Sequence, residues 1–579
     1  MKDFFQEDIA RQIAVAVRAA YGDVPVEGQL EEIIYARLEV PRDRAHGDFA
    51  FPAFTLAPIV KEKPPIIAAK VAAHLEPGRF TVAGPYINCA IAVSDLARAI
   101  LPAIFNQGKD FGSQAAGAGK TIVIDFSSPN IAKPFGVGHL RSTAIGGALY
   151  RVFQKLGYQS IGINHLGDWG TQFGKMIVAF QKWGDDELLR REPIMHLYDL
   201  YVKFHEAEEK DASLTEEARF WFRKLEDGDP EAVRLWQQFK EYSLAEFKRI
   251  YDILGISFDH YTGESFYNDK TEAVVERLAN AGLAVESRGA LVVELEPFGM
   301  PACLLKKSDG ATLYATRDLA GIFYRYQTFT FYKALYVVGS SQREHFRQVF
   351  KVVELLGEPY ADRLIHVEFG WIKFQDQAMS TRRGNIIILD DVIKTAEEKA
   401  TRIIREKNPD LSNLEETARM VALGAILFAD LGSRRHKDVN FSWDEVLNFE
   451  GETGPYLQYT HARLSALVRK YGRSVADAVD FELYNSVEEK ELLLHLNTFG
   501  QVIEAAADKY EPSLIADYLI GLATVFNRFY QRKDDRGRLV RIISDNEDET
   551  AARMLLVSSV RTVLREGLRL LGIPAPEEM

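Results

Sequence analysis

Between Ser127 and His139 the chain reads SSPNIAKPFGVGH, with Lys133 upstream of Gly136, Gly138 and His139. These residue types can hold a phosphate. The two glycines let an anion approach the backbone closely, and a helix opening near the histidine offers free N–H groups and the positive end of its dipole. Taken alone, Gly136-x-Gly138-His139 reads better as a tight turn before a helix capped by His139. A second segment, Met379, Ser380, Thr381, Arg382, Arg383, Gly384 and Asn385, sets two guanidinium groups side by side. Alone it reads as a solvated basic hairpin; together with the first loop it offers fixed cations to a second part of a polyphosphate. Arg528, Arg532, Lys533, Arg536, Arg538 and Arg541 outweigh Asp534 and Asp535 in the densest basic strip of the chain. Such a strip is either a solvated face or a local positive field for nucleic acid.

The elements around the first loop suit that chemistry. TIVIDF is an apolar run of strand length, HLRSTAIGGALYRVFQKLGY carries Leu140, Ile145, Leu149, Val152, Phe153 and Leu156 at helical spacing, and QSIGINH is a second strand. Strand, loop, helix, strand is a βαβ unit, which predicts a parallel, doubly wound sheet. From about 175 to 250 the sequence turns charged and helical, as an insertion between sheet halves does. KALYVVGSS and RLIHVEFGW, separated by the helical HFRQVFKVVELLG, supply the second half. Beyond about 395 nearly every window is helical, through TARMVALGAILFADL, QYTHARLSALVRKYG and LIADYLIGLATVFNRFY to a last helix ending at Leu571. The first 115 or so residues give an amphipathic helix, a strand-like LEVPRD, a turn at Ala45 to Asp48 and a second turn around AGPYINCAIA. They read as a small α+β unit, and the Gly-rich FGSQAAGAGK after them as a linker.

At 579 residues the chain exceeds one hydrophobic core, so several domains are expected. A net charge of -13 argues against a protein that grips nucleic acid over its whole surface, while leaving room for a local basic strip. Cys89 and Cys303 are the only cysteines, too few and too far apart for a disulfide framework or a thiolate zinc site. Charges interrupt the first residues where a signal peptide needs an apolar core, and no stretch has the length of a membrane span. A cytoplasmic protein, neither exported nor membrane-bound, is expected.

The run DFSSPNIAKPFGVGHLRST resembles, over nearly its whole length, the extended signature of the arginyl-tRNA synthetases, a class I family. Gly138 and His139 resemble the second half of the HIGH signature, which implies a nucleotide against the glycine and a histidine on the phosphates. Gly136 stands where the signature has its first histidine, and Lys133 is implied to reach the ATP phosphates. MSTRRGN is similar to the family's variant of the KMSKS signature, assigning Met379, Ser380, Arg382 and Arg383 to ATP, with Ala378 in place of the first lysine. In LLKKSDGATLYATRDLAGIFYR, Tyr314 and Asp318 match the tyrosine and aspartate implied to contact the arginine side chain, a planar cation best met by a carboxylate and an aromatic neighbour. Asn130, Glu264 and Gln342 fall where the family is implied to hold the amino-acid moiety and the guanidinium. NHLGDWGTQFG is implied to shape the pocket floor. GPYLQYTHARLSALVRKYG resembles the first helix of the anticodon-binding domain, with Tyr456, Tyr459, His461 and Arg463 as implied tRNA contacts. AHGDFAFPAF and GPYINCA resemble the appended domain, with Tyr86 and Asn88 at the tRNA elbow.

The resemblance implies a multidomain α/β protein. A small α+β N-terminal appended domain spans 1–115. A class I Rossmann-type parallel-sheet catalytic domain spans 116–395, with its helical insertion at about 175–250 and its KMSKS-like loop at 378–385, and an all-α anticodon-binding domain spans 396–579. It implies an arginine–tRNA ligase that uses ATP with Mg2+, acts on arginine and tRNA(Arg) as a monomer, and has neither a protein-bound metal site nor a proofreading domain. The rivals are another class I synthetase, a small-molecule nucleotidyltransferase on the same fold, or a non-catalytic relative that only binds tRNA or arginine. Tyr314 with Asp318 and the helical C-terminal part weigh against the first two. Lys133, His139, Arg382 and Arg383 weigh against the third.

Overall fold

Ile9, Ile13 and Val17 recur at helical spacing in Phe4–Tyr21 and are fully buried, so this helix forms by covering an apolar stripe. The computed structural model describes residues 4–24, 29–41, 43–307, 314–374, 387–534 and 536–579. Two compact units emerge, one of residues 1–113, 467–502 and 521–564, the other of 114–466, 503–520 and 565–579. In the first, β1 (Phe49–Pro52), β2 (Phe80–Ala83) and β3 (Tyr86–Cys89) form an antiparallel sheet in the order β1-β3-β2. The expected turn around AGPYINCAIA is therefore confined to its start. Ile87, Asn88 and Cys89 are buried between two neighbouring strands, which makes them a central strand. The helix Val93–Gln107 packs on Val487–Asn497, whose first turn is closed by a capping box between Ser486 and Glu489.

The second unit is built on a five-stranded parallel sheet in the order β11-β10-β4-β5-β6, formed by β4 (Thr121–Asp125), β5 (Gln159–Asn164) and β6 (His260–Tyr261) with β10 (Lys333–Tyr336) and β11 (Leu364–His366). Ile122, Val123 and Ile124 are all buried, as a strand covered on both faces requires. Five helices from Thr171–Trp183 to Pro230–Leu254 lie between β5 and β6, where the insertion is expected.

Besides the two-residue edge strand β6, two β features were not legible in the sequence. β7 (Ala284–Ser287), β8 (Ala290–Val293) and β9 (Cys303–Lys306) make a separate antiparallel sheet. Its hairpin turns on Arg288 and Gly289, both at positive φ, the geometry of a type I′ turn whose usual Asn-Gly or Asp-Gly signal an arginine hides. β12 (Ile372–Phe374) pairs in parallel with β13 (Val439–Phe441), a strand within the otherwise helical C-terminal stretch. Next to this pair, Arg141 donates through Nε to Asp430 Oδ1 at 2.6 Å and through a terminal nitrogen to the Lys437 carbonyl at 2.8 Å. This buried ion pair ties the helix Val137–Lys155 to the helix Leu414–Leu431. Among the described residues no helix is long and apolar enough to cross a membrane.

Candidate active site

The strand order reverses between β4 and β10, and in open parallel sheets ligands bind beyond the carboxyl ends of the strands at such a point. The residues singled out in the sequence cluster there. Asn130 follows β4, Glu264 follows β6 and Gln342 follows β10, while Tyr314 and Asp318 project from the first two turns of the helix Tyr314–Phe329. All five line one cavity of about 320 Å3, together with Asp125, Ser128, His165, Gly167, Arg317, Tyr336 and His345.

The loop leaving β4 is strained and braced. Ser127, Ser128 and Ala132 have positive φ, a conformation costing about 1–3 kcal/mol each that persists only where the surroundings enforce it. The backbone N–H of Ser127 donates to Ser142 Oγ at 2.8 Å, Thr143 Oγ1 donates to Ser127 Oγ at 2.8 Å, and the Ala132 N–H donates to Ser243 Oγ at 2.8 Å. Two of these braces come from the LRST that follows His139, and the third from the insertion helix Pro230–Leu254.

Gly136 N-caps the helix Val137–Lys155 without a side-chain cap, which leaves that end's N–H groups without a capping side chain. It also forms a bridge with Ile388, supported by hydrogen bonds from Val137 N–H to Ile387 and from Leu389 N–H to Phe135. The chain leaving the second signature segment is thereby pinned to the first. Met379, Ser380, Arg382 and Arg383 lie outside the described residues.

At Gly138 the position of an absent Cβ faces open space, with no atom within 4 Å. His139 keeps Nδ1 buried and without a partner among the described residues. Burial, with the nearby Lys133 ammonium, pushes its imidazole down to about 4, so the ring is neutral at pH 7. Lys133 Nζ rests 4.3 Å from the centre of the Tyr201 ring, on the insertion helix Pro193–Glu208. An open glycine, an uncapped helix end, a neutral histidine and a lysine held on an aromatic face together fit a nucleoside triphosphate.

Three carboxyl groups, Asp125, Glu264 and Asp318, line the cavity together with the Arg317 guanidinium. Asp125 is paired with the buried Arg325 at 2.7 Å, and Asp318 Oδ2 with His345 Nε2 at 2.5 Å. Burial pushes Glu264 up to about 8, Asp318 and Asp168 adding to the rise and Arg317 opposing it. Its loop is held by the buried Asp168, which accepts from Ser265 N–H at 2.8 Å, Ser265 Oγ at 2.7 Å and Lys240 Nζ at 2.6 Å. This gives NHLGDWG a concrete part in shaping the pocket. Gly167 runs so close to Asn130 that an added Cβ would sit 1.9 Å from Asn130 Oδ1.

Away from the cavity the expected tRNA contacts divide. Tyr459 is exposed with the Arg463 guanidinium 4.9 Å from its ring centre, Tyr456 is half-buried on the same helix, and Tyr86 is half-buried against the exposed Phe54. His461 is fully buried with Nδ1 2.9 Å from the Pro576 carbonyl, so it anchors the C-terminal tail instead of facing a partner. Asn88 is likewise buried, in the central strand β3. The groups missed by sequence reasoning are Tyr201, Asp168 with Lys240, and His345. Only the HF that follows a run of polar residues could have drawn attention to His345.

Comparison with known proteins bears on the whole chain. Residues 100–443 match the family described as tRNA synthetases class I (R), catalytic domain; 7–91 match the arginyl tRNA synthetase N terminal domain, and 457–579 the DALR anticodon binding domain. The arginine–tRNA ligase of Clostridium botulinum is 46% identical over 545 residues, covering 94% of this chain and 96% of that one. That of an Exiguobacterium species is 46% identical over 574 residues, covering 98% and 99%. The solved arginyl-tRNA synthetase of Thermus thermophilus superposes over the full length of both chains with a TM-score of 0.81 at 26% identity. With signature loop, cavity and all three sequence domains in agreement, the chain belongs to the arginyl-tRNA synthetase family of class I.

Proposed function

We propose that this protein ligates arginine to tRNA(Arg) in the cytoplasm, as a monomer, using ATP with Mg2+. One observation carries the reading: Asn130, Glu264, Tyr314, Asp318 and Gln342 come from separate segments and meet in a single acidic cavity beside the Lys133–His139 loop. A guanidinium suits that cavity because carboxylates with an aromatic wall match a planar cation that no neutral competitor can imitate. Asp318 and Tyr314 receive the guanidinium, and Asn130, Glu264 and Gln342 the remainder. The arginine carboxylate then attacks the ATP α-phosphate in line, forming arginyl-adenylate and releasing pyrophosphate. Mg2+ travels with the triphosphate and neutralises the leaving pyrophosphate. Lys133 and His139, with Arg382 and Arg383 of the second segment, hold the phosphates, and the nucleotide lies against Gly138. A terminal ribose hydroxyl of tRNA next attacks the activated carbonyl, and AMP leaves. No protein nucleophile is required, since positioning and charge stabilisation lower both barriers. Residues 1–115 and 396–579 serve the tRNA, with Tyr86, Tyr456, Tyr459 and Arg463 as contacts. Incubation with ATP, labelled arginine and tRNA(Arg) tests the reading. Label on the tRNA is expected, and its absence with active tRNA and folded protein contradicts the proposal.

The electrostatics give a pH signature. Below about pH 8 the empty cavity holds Glu264 protonated. A cation bound beside it favours the carboxylate, so arginine binding expels a proton. Arginine affinity is expected to rise with pH, by at most about tenfold per unit, and to level off above about pH 8. Calorimetry in buffers of differing ionisation enthalpy reads the released proton directly, and Glu264→Gln is expected to flatten the dependence. The close approach at Gly167 gives a second expectation. Gly167→Ala displaces Asn130 and is expected to raise the KM for arginine about tenfold, the cost of one misplaced hydrogen bond to a charged group, while the KM for ATP stays unchanged in pyrophosphate exchange.

A further inference from the structure

Among the polar groups on the cavity wall that the mechanism above does not use, His345 touches a residue that it does use. His345, in the first turn of the helix Arg343–Leu355, points Nε2 at Asp318 Oδ2 across 2.5 Å. An ionised carboxylate can only accept, so Nε2 carries the proton and donates. The other oxygen of Asp318 has no hydrogen bond among the described residues. An aspartate carboxylate otherwise turns broadly about its last torsion. A guanidinium bonded by two parallel N–H groups needs that plane fixed.

We propose that His345 is a positioning residue for arginine recognition: it pins one oxygen of Asp318 so that the carboxylate plane meets the substrate guanidinium, and thereby sets the preference for arginine over its neutral isostere citrulline. The inference rests on the arginine reading of the cavity. His345 is well placed for this because its helix is fixed without it. Phe346, Val349, Val352 and Val353 of the same helix are buried by their own packing, and Gln348 Nε2 donates to the Pro301 carbonyl at 2.8 Å. Replacing the imidazole therefore leaves the helix in place. What is lost is the donor that orients Asp318.

The test is calorimetric titration of arginine into the full chain, with the KM for ATP and the citrulline inhibition constant from pyrophosphate exchange in the presence of tRNA(Arg). His345→Ala is expected to weaken arginine about tenfold, the worth of one charge-assisted hydrogen bond, with the KM for ATP and citrulline inhibition unchanged. His345→Gln, whose amide N–H replaces the donor, is expected to recover most of the arginine affinity. An unaltered arginine affinity in His345→Ala overturns the inference, as does an equal loss for arginine and citrulline or a failure of His345→Gln to recover. The unsubstituted protein separates the two levels. If it neither binds arginine nor exchanges, the reading of the cavity fails with the inference; if it does both and His345→Ala matches it, only the role of His345 fails.

Discussion

Asp318→Asn is expected to lower kcat/KM for arginine by about 10³, or about 4 kcal/mol, the cost of leaving a desolvated charge without its partner. The substitution keeps size and shape and removes only charge. In the cavity that charge has no substitute within the same wall. Asp125 is spent on the buried Arg325, and Glu264 is pushed up to about 8 and stands largely protonated at pH 7. Asp318 is then the chief negative charge already in place before arginine binding ionises Glu264. The KM for ATP is expected to stay within about twofold, because no contact with the phosphates is altered. Equal loss for arginine and ATP in pyrophosphate exchange would point to a damaged fold instead.

His139→Ala is expected to reduce kcat by about 10² to 10³, or about 2.7–4 kcal/mol, with little change in the KM for arginine. The imidazole is neutral at pH 7, being pushed down to about 4, so it contributes a directed N–H and not a charge. A neutral donor aimed at a phosphate matters most when negative charge builds there, which is in the transition state. Gly136, where the family signature has a histidine, supplies no second side-chain donor, and the dependence on His139 and Lys133 is correspondingly strong. Single-turnover adenylate formation separates this step from product release. A raised KM with an unchanged kcat would show that His139 only binds the ground state.

The parallel sheet and its insertion were readable because buried parallel strands are short continuous apolar runs and amphipathic helices carry their own period. β7 to β9 were not, since Arg288 occupies the turn position where Asn or Asp would announce a hairpin. β13 was not, because Val439–Phe441 is strand only by pairing with β12. The five cavity residues were found through motif strings, and the structure supplies what strings lack. The Lys133–Tyr201, Asp168–Lys240 and Asp318–His345 pairs join distant segments, and no spacing along the chain encodes them. His461 misled for a related reason. A histidine among tyrosines and arginines on a helix reads as surface, yet its acceptor is the Pro576 carbonyl, 115 residues further on.

The central claim is that this acidic cavity selects arginine for activation by ATP. Pyrophosphate exchange into ATP by the purified chain, across a panel of amino acids and with and without tRNA(Arg), tests it most directly. Exchange with arginine alone among the amino acids is the expected result, and the resemblance to the family implies that it needs tRNA to be present. A folded protein that binds tRNA or arginine but exchanges with no amino acid, or one that exchanges with a neutral amino acid as readily as with arginine, would contradict it.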